Sequence, residues 1–141
     1  MNGNSAPEIL REKKLRVTNV RSEVLKIFEK KNYALSYNDL HNELRNKFDM
    51  ATIYRTLATF VENNIIHQVP LDAKTSYYAL NNPPGAIETS HKEHVHFVCK
   101  KCNRTFCIDE ILIHNIVLKK NFKLDSLKII AEGTCGSCSN K

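Results

Sequence analysis

The 141-residue sequence predicts an α+β fold in two modules, and three observations predict it. Apolar residues recur at helical spacing through the first half of the chain and then give way to short alternating runs. All five cysteines (Cys99, Cys102, Cys107, Cys135 and Cys138) follow position 98, so a second chemistry begins there. Between the two stretches stands Asn81-Asn82-Pro83-Pro84-Gly85, the only Pro-Pro in the chain, which continues neither helix nor strand. The expected organisation is a module over 1–81, a linker over 82–93 and a small α/β module over 94–141.

The elements of the first module follow in order. From Thr18, the residues Val20, Val24, Leu25, Ile27 and Phe28 recur at helical spacing, with Lys26, Glu29, Lys30 and Lys31 on the other side. Ser36 suits an N-cap, and Asp39 three residues on completes a capping-box-like start. Leu40, Leu44 and Phe48 continue as an i, i+4, i+8 stripe. A third helix runs from about Ala51, burying Ile53, Leu57, Phe60 and Val61, and ends at Asn63-Asn64, since Asn tolerates the left-handed C′ position. Ile65 to Val69 and Ser76 to Leu80 read as strands of a hairpin around Asp72-Ala73-Lys74. Helices followed by a hairpin is the order of a winged helix-turn-helix.

Composition narrows the function classes. At 42% hydrophobic and 26% charged, with four Gly and four Pro, the chain is neither fibrous nor low-complexity. No apolar run approaches the ~18 residues of a membrane span. The first twenty residues lack an apolar block, so a reduced, cytoplasmic setting is expected, where clustered cysteines mean metal before disulfide. The net charge of +6 permits a polyanionic partner, but both halves carry +3, so bulk charge does not locate the surface. Local content does. Arg11, Lys13, Lys14, Arg16 and Arg21 crowd the first segment, and the third helix opens with Thr52, Tyr54 and Arg55. Such side chains donate to phosphates or touch base edges, and a recognition helix reads double-stranded DNA from its N-terminal residues.

The second module reads as built on metal. Cys99-x-x-Cys102 and Cys135-x-x-Cys138 are two knuckles, and each two-residue gap turns both thiolates toward one ion. The 32 residues between them must hold folded structure. A helix from Asp109 to about Lys120 and a strand from Leu124 to Ile130 are expected there. A zinc ion at such a site stabilises a module too small to rely on its core. His91, His94 and His96 lie just before Cys99, and Cys107 just after Cys102; on a strand His94 and His96 share a face, which points to a second metal. One enzyme signature competes. His91-Lys92-Glu93 with Cys99-x-x-Cys102 superficially matches the zinc-deaminase pattern, but Val98 stands where that pattern has Pro, and Cys135 and Cys138 would have no role.

Four motifs in order resemble the ferric uptake regulator family: Leu15-Arg16-Val17-Thr18 with Arg21, Ala51-Thr52-Ile53-Tyr54-Arg55-Thr56-Leu57, His94-Val95-His96-Phe97-Val98-Cys99-x-x-Cys102, and Gly133-x-Cys135-x-x-Cys138. The resemblance implies a homodimeric, metal-responsive transcription regulator with a winged-helix domain and an α/β dimerisation domain. It implies that Tyr54 and Arg55 enter the major groove of AT-rich inverted repeats and that Arg16 reaches the minor groove. It also implies a sensor site drawn from His67, His94, His96 and Cys107; the segment Pro83 to Lys92, longer than in most relatives, adds Glu88 and His91 as candidates to complete it. Iron and peroxide sensors usually carry a His where this chain has Ala34, and many carry a carboxylate where it has Ala79. Cys107 occupies a position where relatives have Glu or Asp, and Asn81 one where zinc uptake regulators have Cys. Thiolate in place of carboxylate favours Zn²⁺ over Fe²⁺ or Mn²⁺ as the regulatory metal. The alternatives are an iron, manganese or peroxide sensor, or a constitutive zinc-stapled DNA-binding protein. A further family site would fall on Glu93, Val95, His114 and Leu127, two of which cannot ligate.

Overall fold

The computed structural model describes residues 5–71, 74–81, 95–108, 118–125 and 127–140. Several expectations lie outside the described residues: the Asp72-Ala73 turn, the linker, Glu88, His91, Glu93, His94, His114 and most of the helix from Asp109. The chain divides into two compact units, Met1–Ala86 and Ile87–Lys141.

In the first unit α1 (Ala6–Glu12) precedes α2 (Asn19–Lys31). The sequence reading does not predict α1, because seven residues with only Ala6 and Leu10 facing inward show no period. Lys14, at φ 58°, turns the chain out of α1, and the Leu15 N–H closes the turn on the Leu10 carbonyl at 2.8 Å. Thr18 caps α2 by accepting from the Arg21 N–H, and Asn32 ends the helix in the left-handed conformation. The expected stripe is buried at Val24, Leu25 and Phe28.

A short strand, β1 (Leu35–Ser36), leads into α3 (Tyr37–Leu44). The capping box is present: Ser36 Oγ accepts from the Asp39 N–H at 3.1 Å, and the Asp39 carboxylate accepts from the Ser36 N–H at 2.8 Å. The predicted stripe is corrected at its end. The helix stops at Leu44, and Phe48 reaches the core from a following turn that closes on the Leu44 carbonyl.

Next comes α4 (Met50–Glu62), capped by the Asp49 side chain, which accepts from the Thr52 N–H at 3.0 Å. Its buried face is Ile53, Thr56, Leu57 and Phe60; Val61, expected inside, is exposed. Asn64, at φ 55°, supplies the left-handed exit. β2 (Ile66–Gln68) and β3 (Tyr77–Leu80) pair antiparallel, and β1 adds to the far edge of β3, giving the order β1-β3-β2. Leu10, Val24, Leu25, Leu40, Ile53, Phe60 and Ile66 meet in one core, so α4 is held against α2, α3 and the sheet with its first turn outward.

The second unit holds the sheet β5-β4-β6, built from β4 (Val95–Cys99), β5 (Thr105–Ile108) and β6 (Ile129–Gly133). β4 pairs antiparallel with β5 and parallel with β6. The strand expected from Leu124 to Ile130 therefore starts at Ile129 and ends at Gly133. A strand exists only where a ladder partner exists, and β4 offers its five residues to Ile129–Gly133. The helix expected to reach Lys120 does not: Leu118 and Lys119 are already non-helical, and Asn121, at φ 73°, turns the chain. Last is a single turn, α5 (Gly136–Ser139), with Cys135 at its N-cap.

Candidate metal centre and nucleic-acid interface

The two knuckles are built from different local devices. Cys99 closes β4, where its N–H donates to the Arg104 carbonyl and its carbonyl accepts from the Asn103 N–H, both at 2.9 Å. Asn103 sits at φ 59°, a left-handed turn position that Asn tolerates without the freedom of Gly, so the chain turns Cys102 back beside Cys99. Cys135 follows β6, and α5 turns Cys138 onto the same side. The parallel β4–β6 ladder, with Cys99 opposite Gly133, brings the two knuckles together.

All four sulfurs lie within 4.8 Å of one another. The Cys102 and Cys135 sulfurs are 3.8 Å apart. A tetrahedral zinc with bonds of ~2.3 Å requires an S···S edge of about 3.8 Å. The residues present therefore fit a zinc ion held by Cys99, Cys102, Cys135 and Cys138.

Electrostatics supports the fit. Cys99 is fully buried, and N–H groups of Cys102 and Cys135 point at its sulfur, the latter at 3.3 Å. They stabilise the thiolate and lower its pKa to about 6. Cys138 goes the other way: its hydrogen bond to the Cys135 sulfur, burial, and the nearness of Cys102 and Cys99 push it up to about 12. Four sulfurs this close cannot all ionise unaided, and a dication removes that penalty.

A second group of donors lies across the same sheet. His96 on β4 and Cys107 on β5 are directly opposed in the ladder, and their ligand atoms lie within 4.8 Å of each other. His96 is only 4% exposed. In the first unit, His67 on β2 shares a hydrogen bond between its Nδ1 and Asn81 Oδ1. The Asn81 amide is oriented by its own Nδ2, which donates to the Asn64 carbonyl at 2.8 Å. With Oδ1 accepting, His67 Nδ1 carries the proton and Nε2 the lone pair, the form a metal needs. In the sequence Asn81 reads only as a residue standing where zinc uptake regulators have Cys. Its orienting role had no local signal, because it depends on β2 and β3 pairing.

On the nucleic-acid side, the N-terminal half of α4 presents Tyr54, 65% exposed, and an exposed Arg55. Thr52 is engaged by the helix cap: its side chain and its N–H hydrogen-bond the exposed Asp49 carboxylate, holding Asp49 below the usual carboxylate range. Arg16 is exposed in the loop after α1, and Arg21 Nη1 donates to the Arg16 carbonyl at 2.8 Å, which fixes that loop on α2. Among the described residues no helix is long and apolar enough to cross a membrane.

Comparison with known proteins agrees with this arrangement. The sequence profile described as the ferric uptake regulator family matches residues 12–131. The ferric uptake regulation protein of Staphylococcus epidermidis is 28% identical over 145 residues, covering 100% of this chain and 99% of the relative. A zinc uptake regulator solved with zinc and DNA is 26% identical, with TM-score 0.66 over 96% of this chain and 91% of that one. The ferric uptake regulator of Francisella tularensis with iron is 27% identical, with TM-score 0.60 over 89% of this chain and 95% of that one.

Proposed function

The chain belongs to the ferric uptake regulator family, and from that premise we propose that it is a zinc-sensing repressor. Members of the family are metal-responsive transcription regulators that bind DNA and form dimers; they are not enzymes, and the deaminase reading falls with that. The finer reading is that His67, His94, His96 and Cys107 hold the sensed ion, with Glu88 or His91 completing its shell. The four-cysteine site holds a structural zinc. Compartment follows the same reading, a cytoplasmic regulator.

One observation carries the choice of metal: the Cys107 thiol stands opposite the His96 imidazole, within 4.8 Å of it. A carboxylate there would suit a harder ion, whereas thiolate with imidazole suits Zn²⁺, which accepts a tetrahedral mixed set without a d-electron penalty. Two features of the chain support sensing. Asn81 holds His67 in the coordinating tautomer, and the ligands come from both modules. A divalent ion bound more tightly by the DNA-competent form would raise DNA affinity, and DNA would raise metal affinity equally. A two-fold dimer offering α4 from each chain calls for an inverted repeat, AT-rich on the family's pattern.

The test uses the dimer with cobalt in place of zinc. A second thiolate charge-transfer band that disappears in Cys107→Ser, together with loss of metal-dependent binding to a DNA duplex selected from a random pool, is the expected result. The reading fails if the wild type lacks that band. It fails equally if Fe²⁺ or Mn²⁺ activates DNA binding at lower free concentration than Zn²⁺ and Cys107→Ser changes nothing.

A further inference from the structure

Tyr37, the first residue of α3, is next to no predicted site residue in sequence, yet two contacts tie it to the start of α4, and a third braces it from within α3. Its hydroxyl donates to the carbonyl of Met50, the first residue of α4, at 3.2 Å. Its ring meets Tyr54 edge-on, with centroids 6.2 Å apart and planes at 66°. Its other side is backed by His41, one turn along α3, stacked at 6.0 Å and 11°. Both aromatic spacings fall within the ~4.5–7 Å over which such pairs attract. The Tyr37 ring is thus held by the hydroxyl, by His41 and by the core on which it partly packs. Among the described residues Tyr54 has no comparable support of its own, being two-thirds exposed on the helix surface. Together Tyr37, Met50, Tyr54 and Arg55 line a cleft of about 650 Å³, to which Thr75 and Ser76 of the wing also contribute.

We propose that Tyr37 is a positioning residue of the DNA-reading face, one that sets the direction in which Tyr54 is offered to a base. The proposal rests on the reading of α4 as the recognition helix. An exposed tyrosine that must choose one rotamer on binding loses affinity in the ordering, and an edge-on neighbour already fixed in place removes part of that loss. The Met50 hydrogen bond serves the same end, because it ties the first turn of α4 to α3, so that the backbone carrying Tyr54 does not fray. His41, one turn behind, keeps the Tyr37 ring from swinging away.

A double-mutant cycle on the zinc-loaded full chain tests this, read by affinity and base preference on a duplex selected from a random pool. Tyr37→Leu and Tyr37→Met keep bulk without a ring, and each is expected to weaken binding roughly 2- to 12-fold, the size of one aromatic pair. Each should relax preference at the base position that Tyr54→Ala relaxes, and neither should weaken Tyr54→Ala further. Tyr37→Phe keeps the ring edge but loses the Met50 hydrogen bond, and should keep more of the preference than Tyr54→Ala does. A residue that merely fills space would instead give losses that add to those of Tyr54→Ala, and additivity overturns the proposal. Loss of preference in Tyr37→Phe as large as that in Tyr54→Ala also overturns it, and that arm stands even where the ring-removing changes lower the melting temperature below the assay. If Tyr54→Ala itself leaves affinity and preference unchanged, the recognition-helix reading fails first and the proposal with it.

Discussion

Removal of the Arg16 side chain should change DNA binding through charge alone, and the structure says why. The side chain is exposed, and the loop that carries it is anchored through its backbone carbonyl by Arg21 Nη1 at 2.8 Å. Arg16→Ala leaves that carbonyl, and therefore the loop, in place. One lost contact to a phosphate or to the minor groove releases one fewer counterion, so the slope of log K against log salt should shrink by about 0.9. Between 50 and 200 mM salt, a fourfold change, the wild type should thus lose about 3.5 times more affinity than the variant does. Fluorescence anisotropy of a labelled duplex, titrated with zinc-loaded dimer over that range, reads the two slopes directly. Arg16→Lys should restore the wild-type slope, because it restores the charge. An unchanged slope in Arg16→Ala, with an unchanged melting temperature, would refute the placement of Arg16 on DNA. Arg21→Gln offers a contrast. It removes the anchor along with a charge, and should weaken binding at every salt concentration more than Arg16→Ala does.

The remaining predictions concern folding and metal. Cys99→Ser should abolish retained zinc and, because metal binding here is folding energy, unfold the second unit and dissociate the dimer; metal content per chain and sedimentation measure both. Ser36→Ala removes the cap of α3 and should cost ~1 kcal/mol, a fall in Tm of about 4–8 °C for a unit of this size, read by calorimetry. Glu29 is half-buried, with one carboxylate oxygen buried and unpaired, and burial raises its pKa above the ordinary 4.5 although Lys26 opposes the shift. The folded chain therefore holds that proton more tightly than the unfolded one. Its cost is absent below pH 4.5 and grows as pH rises through the folded value, so Glu29→Gln should raise the denaturation midpoint at pH 7 and leave it unchanged at pH 4.

The sequence by itself determined whatever depends on neighbours a few residues apart. The stripe of Val24, Leu25 and Phe28, the Ser36–Asp39 box, the third helix from about Ala51 and the two cysteine knuckles are all local signals of spacing 2, 3 or 4. Each was legible because a helix turn or a two-residue loop closes within its own few residues. Even so, α1 is too short to show a period, and Phe48, at helical spacing from Leu44, lies one turn beyond the end of α3.

Tertiary structure alone decided what depends on partners far along the chain. β1 is two residues that exist as a strand only because Tyr77 and Tyr78 pair with them. β6 begins at Ile129, not Leu124, because its register is set by β4, and that register carries Cys135 to Cys99 across 36 positions. Cys107 became a neighbour of His96, Asn81 the orienting partner of His67, and Tyr37 a brace for Tyr54 by the same means. A side chain's chemistry is written in its residue type, but the distance to its partner is fixed only when ladders and core close. Below that closure no period or spacing records it.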